Sequence, residues 1–127
     1  MFRGMEGFTL FSEDAKKLAA FYQDKVGLKT TLEAEMGDKG EEIYGFEIGG
    51  GNGFYVGDHS EVKGKNTQPE RVIFNLEVDD IEKEAKRLEE AGVKQIRDIY
   101  HVEGYGLIST FEDLDGNYFQ LVQVRPS

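Results

Sequence analysis

The sequence predicts an α+β fold made of two copies of one βαβββ module, and three observations support this. The chain repeats its own pattern: Gly7-Phe-Thr-Leu-Phe-Ser-Glu-Asp-Ala-Lys-Lys-Leu-Ala is in register with Ile73-Phe-Asn-Leu-Glu-Val-Asp-Asp-Ile-Glu-Lys-Glu-Ala. In each copy a helical period follows a strand pattern, and glycine-containing turns separate the strands after it. Because 127 residues suffice for one core, we expect a single domain over 1–127, with modules at 1–57 and 71–127 and a linker at 58–70.

The first module begins with a strand predicted at 5–11. Apolar residues then recur at helical spacing, after three candidate capping residues, Ser12, Glu13 and Asp14. Gly27 is expected to end this helix. Three strands are predicted after it, at 28–36, 43–48 and 54–56, separated by a Gly-Asp-Lys-Gly turn and by the flexible hairpin turn 49–53.

The second module repeats this order. A strand is predicted at 72–78, and Asp79 or Asp80 caps a helix that ends at Gly92. Strands follow around 93–102, 107–111 and 118–124. The turn before the last strand contains Asp-Gly, which accepts the positive backbone angles of a tight connection. Asp113 and Asp115 flank that turn, and a turn-forming role explains them better than a calcium site, since no EF-hand spacing follows.

Composition excludes several classes of function. The formal charge is -10 and the pI is near 4.6, which disfavours binding to a phosphate backbone. Cysteine is absent, so disulfides, thiolate metal sites and thiol nucleophiles are excluded. No apolar run approaches the roughly 20 residues of a membrane helix, and the first residues do not form a signal peptide. We therefore expect a cytoplasmic protein that binds neither nucleic acid nor membrane.

Several segments of the chain resemble the vicinal oxygen chelate superfamily of glyoxalases, bleomycin-resistance proteins and extradiol dioxygenases. The most specific is Phe111-Glu-Asp-Leu-Asp-Gly-Asn-Tyr-Phe-Gln-Leu, which is similar to the family's Asp-Pro-Asp-Gly-Asn motif with Leu114 in place of proline. The resemblance covers nearly the whole chain and implies that both modules form a curved mixed sheet around a cup. It does not define one function, because the scaffold serves lyases, isomerases, dioxygenases, thiol transferases and non-catalytic drug binders.

The resemblance also implies four metal-ligand positions, two in each module. The first-strand positions, usually His or Gln, fall at Gly7 and Ile73, and neither can bind a metal. The last-strand positions, usually Glu or His, fall at Tyr55 and Gln120. A neutral phenol and an amide are a poor pair for a divalent ion. We expect the usual metal site to be missing and no cofactor to be required.

Strand alternation predicts which side chains face the cup. Phe8, Leu10, Phe74 and Leu76 should pack towards the helices, and the residues between them should face the ligand. Tyr105 and His101 are added because their segment borders the ligand cavity in the family. A buried Glu77 would favour a cationic ligand, and the aromatic rings suit a flat one. The predicted ligand-binding residues are Thr9, Phe11, Tyr55, Asn75, Glu77, His101, Tyr105, Tyr118 and Gln120.

These residues support one leading hypothesis and two alternatives. The leading hypothesis is a small-molecule-binding homodimer of the bleomycin-resistance type. The first alternative is a glyoxalase-like lyase or a dioxygenase that holds a metal with non-standard ligands, namely His101, Glu77 and Glu103. Separately, if His101 and Glu103 approach one another in the cup, they form an acid-base pair near neutral pH; otherwise His101 is a partly exposed residue at a strand end. The second alternative is an interaction module with a filled cup.

Overall fold

The computed structural model describes residues 1–49 and 53–125, and the chain divides into two compact units, Met1–Gly64 (unit 1) and Lys65–Ser127 (unit 2). The division falls inside the predicted linker. The predicted turn at 49–53 has its centre, residues 50–52, outside the described residues. That the two units form one domain stays a prediction. Neither α-helix in the described residues is long and apolar enough to cross a membrane.

Unit 1 contains the predicted strand, helix and three strands. Helix α1 begins after Asp14, whose side chain accepts a hydrogen bond from the Lys17 backbone N–H at 3.2 Å. It continues as a π-helical turn, Tyr22–Val26, and ends at Gly27, which has a φ of 92° that favours glycine. The elements are β1 (Gly7–Ser12), α1 (Ala15–Phe21), β2 (Lys29–Glu35), β3 (Glu42–Glu47) and β4 (Gly53–Asp58).

Unit 2 repeats the arrangement after a 3-10 turn at Pro69–Arg71. Of the two candidate caps it is Asp80 that accepts from the Lys83 backbone N–H, at 3.2 Å. Gly92 follows α2 with a φ of 84°, so the predicted stop is confirmed. The elements are β5 (Ile73–Glu77), α2 (Ile81–Glu90), β6 (Lys94–Val102), β7 (Gly106–Glu112) and β8 (Tyr118–Val124).

Both sheets have the same topology. The strand orders are β1-β4-β3-β2 and β5-β8-β7-β6, with the first pair parallel and the others antiparallel. Thr9 is opposite Tyr55 in unit 1, and Asn75 is opposite Gln120 in unit 2. These registers make Tyr55 and Gln120 equivalent, as the sequence repeat predicts. The two βαβββ modules of an α+β fold are therefore confirmed.

Each helix packs on one face of its sheet and forms the core there. In unit 1 the fully buried Tyr22 ring meets Phe54 edge-on, with ring centroids 5.1 Å apart, and Phe46 lies beside both. In unit 2, Phe111 and Phe119 are fully buried and stacked at 5.8 Å, and α2 buries Ile81, Ala85 and Leu88. One face of each sheet is thus used by the core, and the other is available for a site.

The Asp-Gly turn before β8 is structural. The Asp113 side chain is 5% exposed, and its Oδ1 accepts from the backbone N–H groups of Asp115 and Asn117, each at 2.9 Å. Its Oδ2 accepts from the Asn117 side-chain amide at 3.0 Å. Gly116 has the positive φ, 80°, that the turn needs. The turn-forming role predicted for Asp113 is confirmed, because its carboxylate closes the connection between β7 and β8.

Candidate functional site

The candidate site lies on the sheet faces that the helices do not cover, here called the open faces. In unit 1 the strand register places Thr9, Tyr55, Gly45 and Leu32 side by side across the four strands. The neighbouring row contains Phe11, Gly57, Ile43 and Ala34. Residues opposite one another in a ladder point to the same face. Thr9, Phe11 and Tyr55 therefore lie on one face, as predicted.

The Tyr55 ring lies across a bed of three glycines from three strands. A Cβ added to Gly7 would lie 2.7 Å from Tyr55 Cε2, and one added to Gly53 would lie 2.5 Å from the phenol oxygen. At Gly45 the nearest ring atoms would be 3.3 Å away. A side chain at any of these positions would enter or crowd the space of the ring. The glycines thus allow the ring to rest against the backbone.

The Tyr55 hydroxyl is held at the edge of this bed. It donates a hydrogen bond to Glu6 Oε2 at 2.7 Å, just before β1. This bond, together with the negative charge of Glu6, raises the pKa of Tyr55 above its ordinary value. The phenol is therefore neutral at physiological pH, and its bond to Glu6 fixes the orientation of the ring.

A cleft of about 300 Å³ adjoins this ring row on the open face of unit 1. Thr9, Phe11, Met36 and Ile43 are among its lining residues. Phe11 is 48% exposed, and its ring meets the His59 ring edge-on with centroids 5.2 Å apart. His59 is exposed, and its contact with Phe11 places it beside the cleft. The sequence does not predict this ring contact, because it depends on the path of the chain after β4.

The open face of unit 2 carries amide and hydroxyl groups where unit 1 carries the glycine bed. Asn75, Gln120 and Thr110 form one row, and Gln120 Nε2 donates to Thr110 Oγ1 at 3.2 Å. Tyr118 is half-buried on the same face. Glu77 is also on this face but is exposed, so the prediction of a buried Glu77 is wrong. Asn75 is likewise exposed, because β5 is an edge strand of its sheet.

His101 lies on the opposite face of this sheet. It is paired with Leu107, which is paired with Gln123, and Gln123 Oε1 accepts from the Ile81 backbone N–H at the start of α2. His101 is therefore on the helix-covered side and not in the Gln120 row. Glu103 and Tyr105 follow β6 in a turn, where the Tyr105 N–H bonds to the Val102 carbonyl at 3.0 Å. Ligand binding by His101 and Tyr105 stays a prediction.

The residues at the four family metal positions do not fit a divalent ion. In unit 1, Gly7 offers no side-chain donor, and the ring of Tyr55 fills the space that a side chain at Gly7 would need. The Tyr55 hydroxyl already donates to Glu6. In unit 2, Ile73 has no donor atom and Gln120 uses its amide N–H on Thr110. A divalent metal prefers imidazole, carboxylate or thiolate ligands, and these four residues supply none.

The comparison with protein families agrees with this fold. Residues 4–121 match the model of the Glyoxalase/Bleomycin resistance protein/Dioxygenase superfamily. The chain therefore belongs to that superfamily, and the resemblance inferred from its sequence is confirmed. A search of curated proteins finds no match.

Solved structures show the same fold over almost the full chain. TnmS3, an antibiotic binding protein from Streptomyces sp. CB03234, is 21% identical, with 98% of each chain covered and a TM-score of 0.75. A mutant of the fosfomycin resistance protein FosX from Listeria monocytogenes, complexed with Mn(II) and 1S,2S-dihydroxypropylphosphonic acid, is 18% identical, with 96% of this chain and 93% of that one covered and a TM-score of 0.69. The hypothetical protein SA1046 from S. aureus is 25% identical, with 97% of this chain and 95% of that one covered and a TM-score of 0.71.

Proposed function

We propose that this protein binds a small organic molecule and that the open face of unit 1 is part of its binding surface. The observation that carries the proposal is the Tyr55 ring, which rests on three glycines beside a cleft of about 300 Å³. Apolar walls with a few fixed polar groups are typical of ligand pockets. Here Phe11, Met36 and Ile43 supply apolar walls and Thr9 supplies a hydroxyl. The carboxylate residues Glu41, Glu42 and Asp58 also line the cleft.

The packing of Tyr55 supports binding of a flat ligand. One face of its ring lies against backbone, so the second face is offered to a ligand by stacking. The hydrogen bond to Glu6 restricts rotation of the ring before any ligand arrives. Less side-chain entropy is then lost on binding, which increases affinity. An aromatic or amphipathic molecule is the ligand class that this surface favours.

The relatives support the same class of function. TnmS3 is an antibiotic binding protein, and FosX is a fosfomycin resistance protein. We extend from them the expectation of a small, antibiotic-like ligand. A cytoplasmic homodimer is part of the proposal, and native mass spectrometry of the gently purified protein tests the dimer, any bound metal and any retained ligand together.

The test of the binding surface compares two substitutions at one position. Bleomycin and fosfomycin are titrated against the protein by calorimetry, and the better ligand is used with the variants. Tyr55→Phe keeps the ring on its glycine bed and should bind within about twofold of the unchanged protein. Tyr55→Ala removes the ring and should weaken binding roughly threefold to tenfold, the range expected for one aromatic stacking contact. Equal affinity of Tyr55→Ala and the unchanged protein would place the site elsewhere.

The enzyme alternative loses support from the geometry of unit 2. It requires His101, Glu77 and Glu103 to hold one metal. Glu77 is on the open face, His101 is on the helix-covered face and Glu103 is in the turn beyond β6. Among the residues that the structure describes, no three His, Asp or Glu side chains are grouped so as to hold a metal ion. We therefore retain the binding function as the proposal.

A further inference from the structure

A second feature on the open face of unit 2 concerns the charge of the ligand. The Arg97 guanidinium lies over the Tyr100 ring, with Cζ 3.5 Å from the ring centroid. None of the ion pairs among the described residues involves Arg97. This is unexpected in a chain with 25 acidic and 15 basic residues. Lys94, on the same strand, does reach a carboxylate, Glu112, at 3.8 Å.

An irregularity in β6 brings the Arg97 and Tyr100 side chains to the same face. Arg97 is paired with Thr110, and Tyr100 is paired with Ile108. These two pairs are three residues apart in β6 but only two residues apart in β7, so β6 contains one extra residue here. An extra residue of this kind is a β-bulge, which changes the direction of the side chains that follow it. Without the bulge, residues three apart would lie on opposite faces. Arg97 and Tyr100 would then not meet.

A buried serine fixes this bulge. Ser109 is fully buried, and its Oγ donates to the Arg97 carbonyl at 2.7 Å and accepts from Gln95 Nε2 at 3.0 Å. A hydroxyl buried between two partners is costly to leave unpaired, so these bonds hold the strand in its irregular path. The position of Arg97 is therefore built into the fold.

We propose that Arg97 binds an anionic group of the ligand, a carboxylate or a phosphonate. A guanidinium binds such groups through two parallel N–H donors, and the Tyr100 ring orients its plane. Gln120 lies two strands away, about 10 Å from Arg97, and its amide provides a neutral contact in the same row. Glu77, on the opposite edge strand, disfavours a second anion at the far end. The inference rests on the proposed function, small-molecule binding, since it specifies that a ligand bound on the open face of unit 2 carries an acidic group.

The experiment uses three probes of one shape and different charge: benzoate, benzamide and benzamidinium. Each is titrated into the full-length protein, and backbone amide shifts of β6, β7 and β8 are followed by NMR. Benzoate should bind roughly threefold to tenfold more tightly than benzamide, the range for a partly exposed charged contact, and benzamidinium should bind least. Arg97→Gln should remove the preference for benzoate. Arg87→Gln, on the surface of α2 and paired with Glu84, is the matched control and should keep it.

A third variant separates position from charge. Ser109→Ala retains the guanidinium but releases the bulge, so it should reduce the benzoate preference even though Arg97 is present. Equal binding of benzoate and benzamide to the unchanged protein would overturn the inference, as would a preference that survives Arg97→Gln. The Tyr55 test remains independent of both results. If Tyr55→Ala weakens antibiotic binding while Arg97 shows no charge preference, only the present inference fails. If Tyr55→Ala leaves binding unchanged while the benzoate preference depends on Arg97, only the proposed surface of unit 1 fails.

Discussion

The two units have the same topology and differ on their open faces. The helix-facing phenylalanines occupy equivalent positions: Phe8 and Phe74, Phe46 and Phe111, Phe54 and Phe119. On the open faces the equivalent positions differ in size and polarity: Gly7 and Ile73, Gly45 and Thr110, Gly53 and Tyr118, Tyr55 and Gln120. The comparison shows that packing against the helix requires similar residues on one face of each sheet. The residues of the other face are not part of that packing, so they can differ and form a binding surface.

The largest expected effect is on stability, and it comes from the helix-facing phenylalanines that the two units share. Phe54 and Phe119 are 3% and 0% exposed, and each contacts other rings. Phe54→Ala and Phe119→Ala should each lower the free energy of unfolding by about 3–5 kcal/mol, because each leaves a cavity. Urea denaturation of the two variants measures this. Phe11→Ala, at a position 48% exposed, is the control and should cost below about 1 kcal/mol.

Similar losses at Phe54 and Phe119 would support equivalent cores. A loss near that of the Phe11 control at either position would show that its unit does not depend on the ring cluster. The comparison between the units would then be limited to topology.

The second expected effect, also on stability, comes from the open faces, where the residues of the two units differ. Gly7→Ala adds a Cβ 2.7 Å from Tyr55 Cε2 and 2.9 Å from the Gly53 carbonyl oxygen. Overpacking of this kind should lower the free energy of unfolding by about 1–3 kcal/mol. Ile73→Ala, at the equivalent position in unit 2, should cost below about 1 kcal/mol since Ile73 is 36% exposed.

A double variant divides this cost between ring and backbone. In the Tyr55→Ala background the contact with the ring is gone, and only the contact with the Gly53 carbonyl remains. Gly7→Ala should then be less destabilising than in the unchanged protein, by thermal or urea unfolding. An equal cost in both backgrounds would mean that the glycine is needed by the backbone and not by the ring.

The sequence predicted the features that depend on local patterns. Each helix start was predicted to within a few candidate capping residues, and the structure selects Asp14 and Asp80 from them. The equivalence of Tyr55 with Gln120 follows from the repeat along the chain. The sequence did not predict contacts that depend on the path of a strand. The bulge in β6 carries no local signal, and it decides that Arg97 meets Tyr100.

The three glycines under the Tyr55 ring were predictable only in part from the sequence. Gly7, Gly45 and Gly53 are far apart in the sequence, so their meeting under one ring requires the sheet to be known. A signal was nevertheless present, because glycine within a strand often marks the close approach of another group. The prediction that Glu77 is buried failed for a different reason. Alternation along a strand gives the face of a side chain but not its exposure, and Glu77 is exposed because β5 is an edge strand.

The smallest expected effect concerns a hydroxyl that each unit buries at one equivalent position, Tyr44 in unit 1 and Ser109 in unit 2. Burial, with the hydrogen bond from the Tyr44 hydroxyl to Glu42, raises the pKa of Tyr44 to about 12. The unfolded chain has a tyrosine pKa of about 10. The folded state therefore holds this proton more tightly, and the stabilisation that it provides is fully present below pH 10 and is lost as pH rises towards 12. The free energy of unfolding should accordingly fall more steeply above pH 10 in the unchanged protein than in Tyr44→Phe, as measured by urea titrations at a series of pH values. Parallel curves for the two proteins would contradict the raised pKa, whereas Ser109→Ala should give no such divergence, since a serine does not ionise in this range.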